Sequence, residues 1–438
     1  MDEEVEFLLI YTHKISARFS YIMKHVFTRI LGIEISYTTK IEDFIKHKGP
    51  KITYTKQPLQ NEFFIRSTEL LFEQGINDVP LQIDSWDGVP CFFAAGEGSA
   101  LPYDIFAASF YLLSRYEEYL PHLKDIHGRF PPRESVAYQN NFLQQPVIDL
   151  WAAKLLLQLK AKFPDLKHQK QQYQHTSIID VTTSHCFSYR GFVRSIAGFL
   201  LDVCSLKLRR VVQRVAVWFN PAKDPYDNFE ELIALHKKYA TKSRFFFQFA
   251  DYSTYDKNVS PNNNKFRYLI KSVADYGNVS LAASYSSFYN IDLLKKEKKK
   301  LANVINRSVS TVRLRYNRVD VPETYRTLVE AEFTDDYSMG YTHEIGFRAG
   351  TCTPFYFFDI NLEIQQPIKI HPFALHDYAL LNMVNKKEIQ EKIANIASGV
   401  KTVNGQFITV FSNELIGGDH KVNWLALYEQ TLKENVQG

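Results

Sequence analysis

The first half of the chain has the hydrophobic pattern of alternating strands and helices. Residues 5–11 (VEFLLIY) form a short apolar run typical of a buried strand. Residues 16–32 carry apolar side chains at helical spacing, and residues 33–38 then alternate as a strand does. Residues 101–121, bounded by prolines, carry a longer helical stripe and predict one continuous helix. We therefore expect a smaller α/β domain over residues 1–165.

The second half shows the same alternation after a polar interruption. Residues 167–175 are rich in glutamine and lysine and separate the two halves. Beyond them, strand-like runs such as residues 176–180 alternate with helix-like runs such as residues 226–240. This order predicts a parallel sheet with crossover helices, either open or closed into a barrel, over residues 176–438.

One insertion, residues 191–219, departs from this alternation. It carries five basic residues against the single acid Asp202, on a strongly apolar background: Arg194, Lys207, Arg209, Arg210 and Arg214. One interpretation is a basic amphipathic hairpin that rests on an anionic membrane surface. The more ordinary one is a helix pair packed on the barrel with a solvated basic edge.

Composition and charge favour a packed globular protein and argue against a protein that mainly binds nucleic acid. With 45% hydrophobic and 14% aromatic residues, the 438-residue chain predicts a packed globular protein. The 52 basic and 48 acidic residues nearly balance at +4, which argues against nucleic acid as the main partner. Four cysteines without a CxxC pair suit a reducing compartment. Because the N-terminus is acidic and no run is long enough to span a bilayer, we expect a cytoplasmic protein, at the inner face of the membrane if the insertion binds lipid.

Several long segments resemble the polysaccharide deacetylase (NodB-homology) family, the family 4 carbohydrate esterases. In the second half these are KDPYDNFEELIALHKKY, VPETYRTLVEAEFTDDYSMGY, GFRAGTCTPFYFFDI and FITVFSNEL. In the first half, FAASFYLLSRYEEYLP followed by HGRFPPRESVAYQ resembles the N-terminal α/β domain of the Gram-negative bacterial form. The resemblance implies a distorted (β/α) barrel behind a smaller α/β domain, with the active site at the carboxyl ends of the barrel strands.

The chemistry that this resemblance implies is removal of N- or O-acetyl groups from sugars. Family members use a divalent metal such as zinc, held by an Asp and two His, with a further Asp as base and a late His as acid. Here Asp180 remains as the catalytic candidate, but Thr182 stands in place of the second carboxylate. Ala282 and Ser286 stand at the metal-His positions, and Ser412 stands where the acid is expected. We therefore predict no metal site and no cofactor.

Arginines occupy the region that the metal would need. Arg313 and Arg315 point to one face of a strand, and guanidinium groups suit an anion better than a dication. We predict that Arg313, Arg315 or Arg348 pairs with Asp180, Asp377 or Glu414, or binds an anionic sugar or phosphate. A closed ionic network without ligand is the alternative. The predicted substrate-binding residues are Arg313, Arg315, Arg348, Asp377, His376, Asn413, Glu414, Tyr285 and Tyr316.

The aromatic residues add a positional expectation. Eight of them lie at or just after predicted strand ends, where their rings would stack on sugars: Tyr189, Tyr252, Tyr255, Tyr285, Tyr316, Tyr337, Tyr341 and Phe355.

The sequence thus predicts a catalytically degenerate deacetylase-like protein that binds a glycan or glycolipid, or acts as a scaffold, in envelope polysaccharide production. An active hydrolase of acylated sugars around Asp180, with a metal site rebuilt from Asp180, His185 and His376, is the alternative. A structural partner of a biosynthetic enzyme is a third interpretation, and the oligomeric state is not defined.

Overall fold

A computed structural model describes residues 7–221 and 224–436. The first half is built on a four-stranded parallel sheet in the order β2-β1-β3-β4. Its strands are β1 (Leu8–Tyr11), β2 (Ile35–Thr38), β3 (Lys51–Thr55) and β4 (Phe63–Arg66). A separate antiparallel hairpin follows, formed by β5 (Asp84–Trp86) and β6 (Val89–Cys91).

The helices of the first half lie between or after its strands, which confirms the predicted alternation of strands and helices. One predicted helix, over residues 101–121, is interrupted. The helices are α1 (Ala17–Met23), which continues as a π-helix to Ile30, α2 (Ile41–Lys46), α3 (Ile105–Leu113), α4 (Tyr116–Tyr119), α5 (Val136–Gln139) and α6 (Val147–Lys162). The single helix predicted over residues 101–121 is two helices, because Arg115 adopts a left-handed φ of 56° between α3 and α4. This turn directs the Arg115 guanidinium back onto Glu117 and Glu118.

The second half forms a nine-stranded sheet in the order β12-β13-β11-β10-β9-β8-β7-β15-β14. All neighbours are parallel except β12 and β13. The strands are β7 (Gln174–Val181), β8 (Lys242–Gln248), β9 (Asn278–Ala283), β10 (Thr311–Leu314), β11 (Asp335–Asp336), β12 (Phe355–Asp359), β13 (Ile364–Ile370), β14 (Leu375–His376) and β15 (Gln406–Ser412). The predicted α/β class with a parallel sheet is confirmed.

Helices follow most of these strands. They are α7 (Phe192–Cys204), α8 (Leu208–Phe219), α9 (Phe229–Lys238), α10 (Asn264–Tyr276), α11 (Ile291–Ile305), α12 (Glu323–Glu330), α13 (Lys386–Thr402), α14 (Asn413–Gly417) and α15 (Trp424–Glu434). The predicted insertion is the α7–α8 hairpin. Within the described ranges, none of the helices combines the length and the apolar character needed to cross a bilayer.

One stretch of chain, residues 364–376, contributes strands near both edges of this sheet. Its β13 part pairs with β11 and its β14 part pairs with β15. Between them, the Phe373 amide donates to the Met339 carbonyl and the Ala374 amide to the Ile408 carbonyl, both at 3.0 Å. These hydrogen bonds therefore connect the two edges of the sheet. That the sheet closes into a barrel is still an interpretation.

The sheet has two apolar faces, as a parallel sheet covered on both sides requires. One face carries a small separate cluster that includes Ile178, Phe246, Phe373 and Val410. Phe247, the next residue along β8, belongs instead to the main core beneath the helices. Since side chains alternate along a strand, residues two apart from the small cluster share its face. Asp180 and Ser412, each two residues beyond a cluster member, therefore end their strands on that inner face.

A buried ionic cluster joins the two halves. The Glu118 carboxylate accepts from Arg348, with 2.6 Å between Nη2 and Oε2, and from Arg115, with 2.7 Å between Nε and Oε1. All three side chains are at most 2% exposed. Arg115 also donates to the backbone carbonyl of Arg348. Because a buried charge is costly without its partner, this cluster fixes α3 and α4 against the second half.

We expect Glu118→Ala to lower the free energy of unfolding by about 3–5 kcal/mol, because it leaves the buried Arg348 guanidinium without its carboxylate and removes one of the two carboxylates that Arg115 contacts. Urea denaturation of the full chain measures this change. The matched control is Glu391→Ala, which removes an exposed partner of Lys387 at 3.9 Å and should cost less than about 1 kcal/mol. Equal losses in the two variants would contradict the assigned role of the cluster.

Candidate functional site

A cavity of about 220 Å³ lies at the carboxyl ends of the second sheet's strands. Asp180, Arg315, Tyr316 and His376, all predicted from the sequence, lie in its wall, and so do Thr342, His343 and Ser412. These residues end or follow β7, β10, β14 and β15, or lie in the loop after β11. Carboxyl ends of parallel strands meet at one edge, which is why residues so distant in sequence converge here.

Arg313 fills the inner face beside Asp180. Its Nε lies 3.3 Å from Asp180 Oδ2, and its Nη1 donates to the Tyr337 carbonyl at 2.6 Å. The guanidinium carbon lies 4.7 Å from the centre of the Phe373 ring, and the side chain is 1% exposed. Burial lowers the pKa of Arg313, and the charge of Asp180 acts in the opposite direction. The predicted pairing of Arg313 with Asp180 is thus present in the structure.

Arg315 lines the cavity and differs from Arg313 in its partners. Its guanidinium lies over the Tyr316 ring, with 4.5 Å from the guanidinium carbon to the ring centre, and Nη2 makes a long 3.5 Å contact with the Tyr255 carbonyl. Its Nε is buried and has no hydrogen-bond partner. Among the residues that the structure describes, no carboxylate lies within 4.0 Å of this guanidinium. Arg315 therefore lies in the cavity wall with a buried Nε that has no partner within the described part of the protein.

Glu414 lies behind the cavity wall and contacts it through Thr182, whose hydroxyl donates to the Glu414 carboxylate. Burial raises the pKa of Glu414 above its ordinary value, while the Thr182 hydrogen bond and the charge of Arg315 lower it.

His376 forms a buried pair with Asp377. His376 Nδ1 lies 2.7 Å from Asp377 Oδ1, and the other Asp377 oxygen accepts from the Ser412 amide and hydroxyl, both at 2.6 Å. Asp377 itself is fully buried. The Tyr378 amide also donates to Nδ1 at 3.3 Å, so both hydrogen bonds of the ring are made by Nδ1 and, within the described residues, none by Nε2.

The first half of the chain contributes to the rim of the cavity. Arg129 donates through Nη1 to the Tyr316 carbonyl at 2.8 Å and is itself held by Asp125 at 2.7 Å. Tyr316 adopts a left-handed backbone with φ of 59°, a conformation uncommon for a residue with a side chain. Asn317 follows with φ of 52° and donates to the Thr342 hydroxyl at 2.8 Å. These contacts hold the turn after β10 that carries Arg315.

An aromatic patch adjoins the cavity. Tyr255 stacks on Tyr285 with ring centres 4.1 Å apart, and His127 stacks on Tyr316 at 4.7 Å. The Arg318 guanidinium lies 4.1 Å from the centre of the Tyr285 ring. His127 was not predicted, although HGRFPPRES was among the segments that carry the family resemblance. Partly exposed tyrosine rings of this kind can stack on the C–H faces of a sugar.

The metal that the family resemblance implies does not fit these residues. Thr182 and Ala282 stand at positions where ligands are expected, and the Arg313 guanidinium lies against the one remaining carboxylate, Asp180. In residues 7–221 and 224–436, no group of three or more His, Cys, Asp or Glu side chains has an arrangement that could hold a metal ion. A cation beside Asp180 would be repelled by the Arg313 charge already there.

Several predicted residues lie outside the cavity lining. Arg348 is committed to Glu118 in the buried cluster between the halves. Asn413 donates from its amide to the Thr183 and Tyr226 carbonyls, at 3.0 and 3.1 Å.

His185 lies elsewhere, in a cleft of about 880 Å³ beside α9 and α10, where its Nε2 is 3.8 Å from Asp227. The structure therefore does not bring His185 together with Asp180 and His376. We take the smaller cavity as the site because it contains the strand-end residues and Arg315.

Comparisons with known proteins give one family match and distant structural likenesses. Residues 8–164 match the model of a family of unknown function, DUF7033. No curated protein matches the chain.

Three solved structures illustrate the structural likenesses. The first, assigned as a polysaccharide deacetylase from Mycobacterium smegmatis, is 11% identical with a TM-score of 0.40 and covers 61% of this chain and 85% of its own. The polysaccharide deacetylase Bc1974 from Bacillus cereus is 14% identical with a TM-score of 0.29, covering 61% of this chain and 88% of its own. The allantoinase Puue is 10% identical with a TM-score of 0.36, covering 60% and 84%. These likenesses are too distant to carry an assignment.

Proposed function

We propose that this chain is a polysaccharide deacetylase-like protein that binds an anionic sugar without a metal ion and without hydrolysing it. The second half would be the distorted (β/α) barrel of that family, closed by residues 364–376. Its biological setting would be the production of an envelope polysaccharide, with the protein as a glycan-binding or scaffolding component.

This proposal rests on the position and the hydrogen bonding of Arg315. It is a cavity-lining guanidinium whose buried Nε has no partner. A sugar carboxylate or phosphate supplies the paired oxygens that a guanidinium recognises best, and such charge-assisted hydrogen bonds are stronger than neutral ones. Asp180 does not compete for Arg315, because its nearest cation is Arg313 at 3.3 Å.

The surroundings of Arg315 suit one sugar unit. The cavity volume of about 220 Å³ is below the roughly 300 Å³ at which pockets for drug-sized ligands begin. The aromatic patch of His127, Tyr255, Tyr285 and Tyr316 extends from the cavity and offers ring faces to a neighbouring sugar. An acidic sugar held at Arg315 by its charge and continued over the patch fits both features.

We expect glucuronate and glucose 6-phosphate to bind the full chain, with Arg315→Gln weakening both by at least about tenfold, because a charge-assisted hydrogen bond is lost. Isothermal titration calorimetry measures the affinities, with glucose as the uncharged comparison. Arg307→Gln is the matched control, since Arg307 is exposed and precedes β10, whereas Arg315 follows it. Equal binding of glucose and glucuronate, or unchanged binding by Arg315→Gln, would refute the proposal.

The pair formed by His376 and Asp377 favours a second candidate, a hydrolase of acylated sugars that needs no metal. Here His376 Nε2 would take a proton from water as the water oxygen attacks the acyl carbonyl. The resulting imidazolium would return the proton to the sugar oxygen or nitrogen as the acyl bond breaks. Asp377, buried and 2.7 Å from Nδ1, would stabilise the imidazolium.

Acetate release from N-acetylated and O-acetylated sugars separates the two candidates. If the protein only binds sugars, we expect the full chain and its His376→Gln variant to release acetate at the same background rate. The hydrolase requires turnover by the full chain that falls by at least about a hundredfold in His376→Gln, the range for loss of a general base. Asp377→Asn should then show an intermediate rate and a shifted pH profile.

A further inference from the structure

The α7–α8 hairpin, residues 192–219, has its polar side turned inward. Asp202 on α7 and Arg214 on α8 are both buried and pair with 2.6 Å between Oδ2 and Nη2. The two helices approach closely at Gly198, where an added Cβ would lie 2.9 Å from the Arg214 Nη atoms. The contact between the helices therefore includes a buried ion pair, together with an aromatic contact in which the Phe199 and Trp218 ring centres lie 5.4 Å apart.

The apolar side of the hairpin faces solvent. Phe192, Leu206 and Phe219 are 80%, 80% and 88% exposed. Further apolar side chains on both helices are more than half exposed: Val193, Leu200, Leu201, Leu208 and Val212. At 100° per residue, the exposed apolar positions of α7 cover about half of the helix surface, and Asp202 lies on the other half. A helix that served only the core of this protein would have the reverse arrangement.

Positive charge accompanies this exposed face. Arg194, Lys207, Arg209 and Arg210 belong to the same segment, whose single acid, Asp202, is held by Arg214 and lies 3.6 Å from Arg210. Arg209 contacts Asp419 at 2.7 Å but keeps 78% of its side chain exposed. A partner for this surface must therefore accept both large apolar side chains and several cations.

We propose that the hairpin docks this protein onto an anionic phospholipid bilayer. A bilayer interface offers hydrocarbon to the apolar side chains and phosphates to the lysine and arginine side chains, whose long stems let their charges reach the headgroups. A second copy docked through the same face fits less well, because it would bring the basic residues of the two hairpins together. This inference does not depend on the ligand of the strand-end cavity.

Docking would bring the strand-end cavity toward the lipid surface. The Arg194 guanidinium lies 4.1 Å from the centre of the Tyr252 ring, and Tyr255, three residues further, stacks on Tyr285 in the aromatic patch. The hairpin also begins directly after the loop that follows β7 and Asp180. A protein docked in this way would meet sugars carried on lipids.

Sedimentation of the full chain with vesicles tests the proposal. We expect binding to phosphatidylcholine vesicles that contain phosphatidylglycerol and at least about tenfold weaker binding to phosphatidylcholine alone. The triple variant L206S, L208S and V212S should lose at least about tenfold in binding to the anionic vesicles, because it removes three exposed apolar contacts. Lys207→Gln with Arg209→Gln should weaken binding in low salt and reduce its salt dependence.

The control is the double variant L157S and V384S, since both side chains are 72% exposed but lie outside the hairpin. It should bind vesicles as the unchanged chain does, and circular dichroism should show that every variant is folded. The proposal would be overturned if the chain bound neither kind of vesicle, or if it bound both kinds equally. So would a dimer in solution that the triple variant converts to a monomer, because the face would then be an interface between copies.

Discussion

The ion pair between Arg313 and Asp180 is the interaction on which the rest of the site depends. It places a permanently charged guanidinium on the inner face of the sheet, against Asp180, the carboxylate that the resemblance to polysaccharide deacetylases marks as the catalytic candidate. With that carboxylate engaged and Thr182 and Ala282 at other expected ligand positions, the cavity becomes a place for hydrogen bonds to oxygen anions. Arg315, two residues further, has no carboxylate within 4.0 Å among the described residues, and its buried Nε has no hydrogen-bond partner.

The geometry around Arg315 also depends on the first half of the chain. Arg129 holds the left-handed Tyr316, and Glu118 fixes α3 and α4 to the loop that contains Arg348. The first half thus supports the turn that presents Arg315 and adds His127 to the aromatic patch. The cavity lining itself comes from the second half, and the first half reaches it through the contacts of Arg129 and His127 with Tyr316.

Periodicity and spacing predicted much of this arrangement, and the parts they missed depend on distant contacts. The apolar runs at β1 and β7 predict buried strands because an apolar run reports burial directly. The break at Arg115 could not be predicted, since its partners include the carbonyl of Arg348, more than two hundred residues away. The same holds for Arg348 itself, whose carboxylate partner belongs to α4. The sequence of residues 191–219 predicts amphipathic helices but does not say which side faces solvent.

We propose that the Arg313 guanidinium stands beside Asp180 where the resemblance to polysaccharide deacetylases implies a metal ion. Crystals of the full chain soaked in zinc, with data collected at the zinc absorption edge, test this claim most directly. The account predicts no anomalous peak within coordination distance of Asp180 and an Arg313 side chain that still contacts this carboxylate. A well-occupied zinc ion bound to Asp180, with Arg313 displaced, would contradict it.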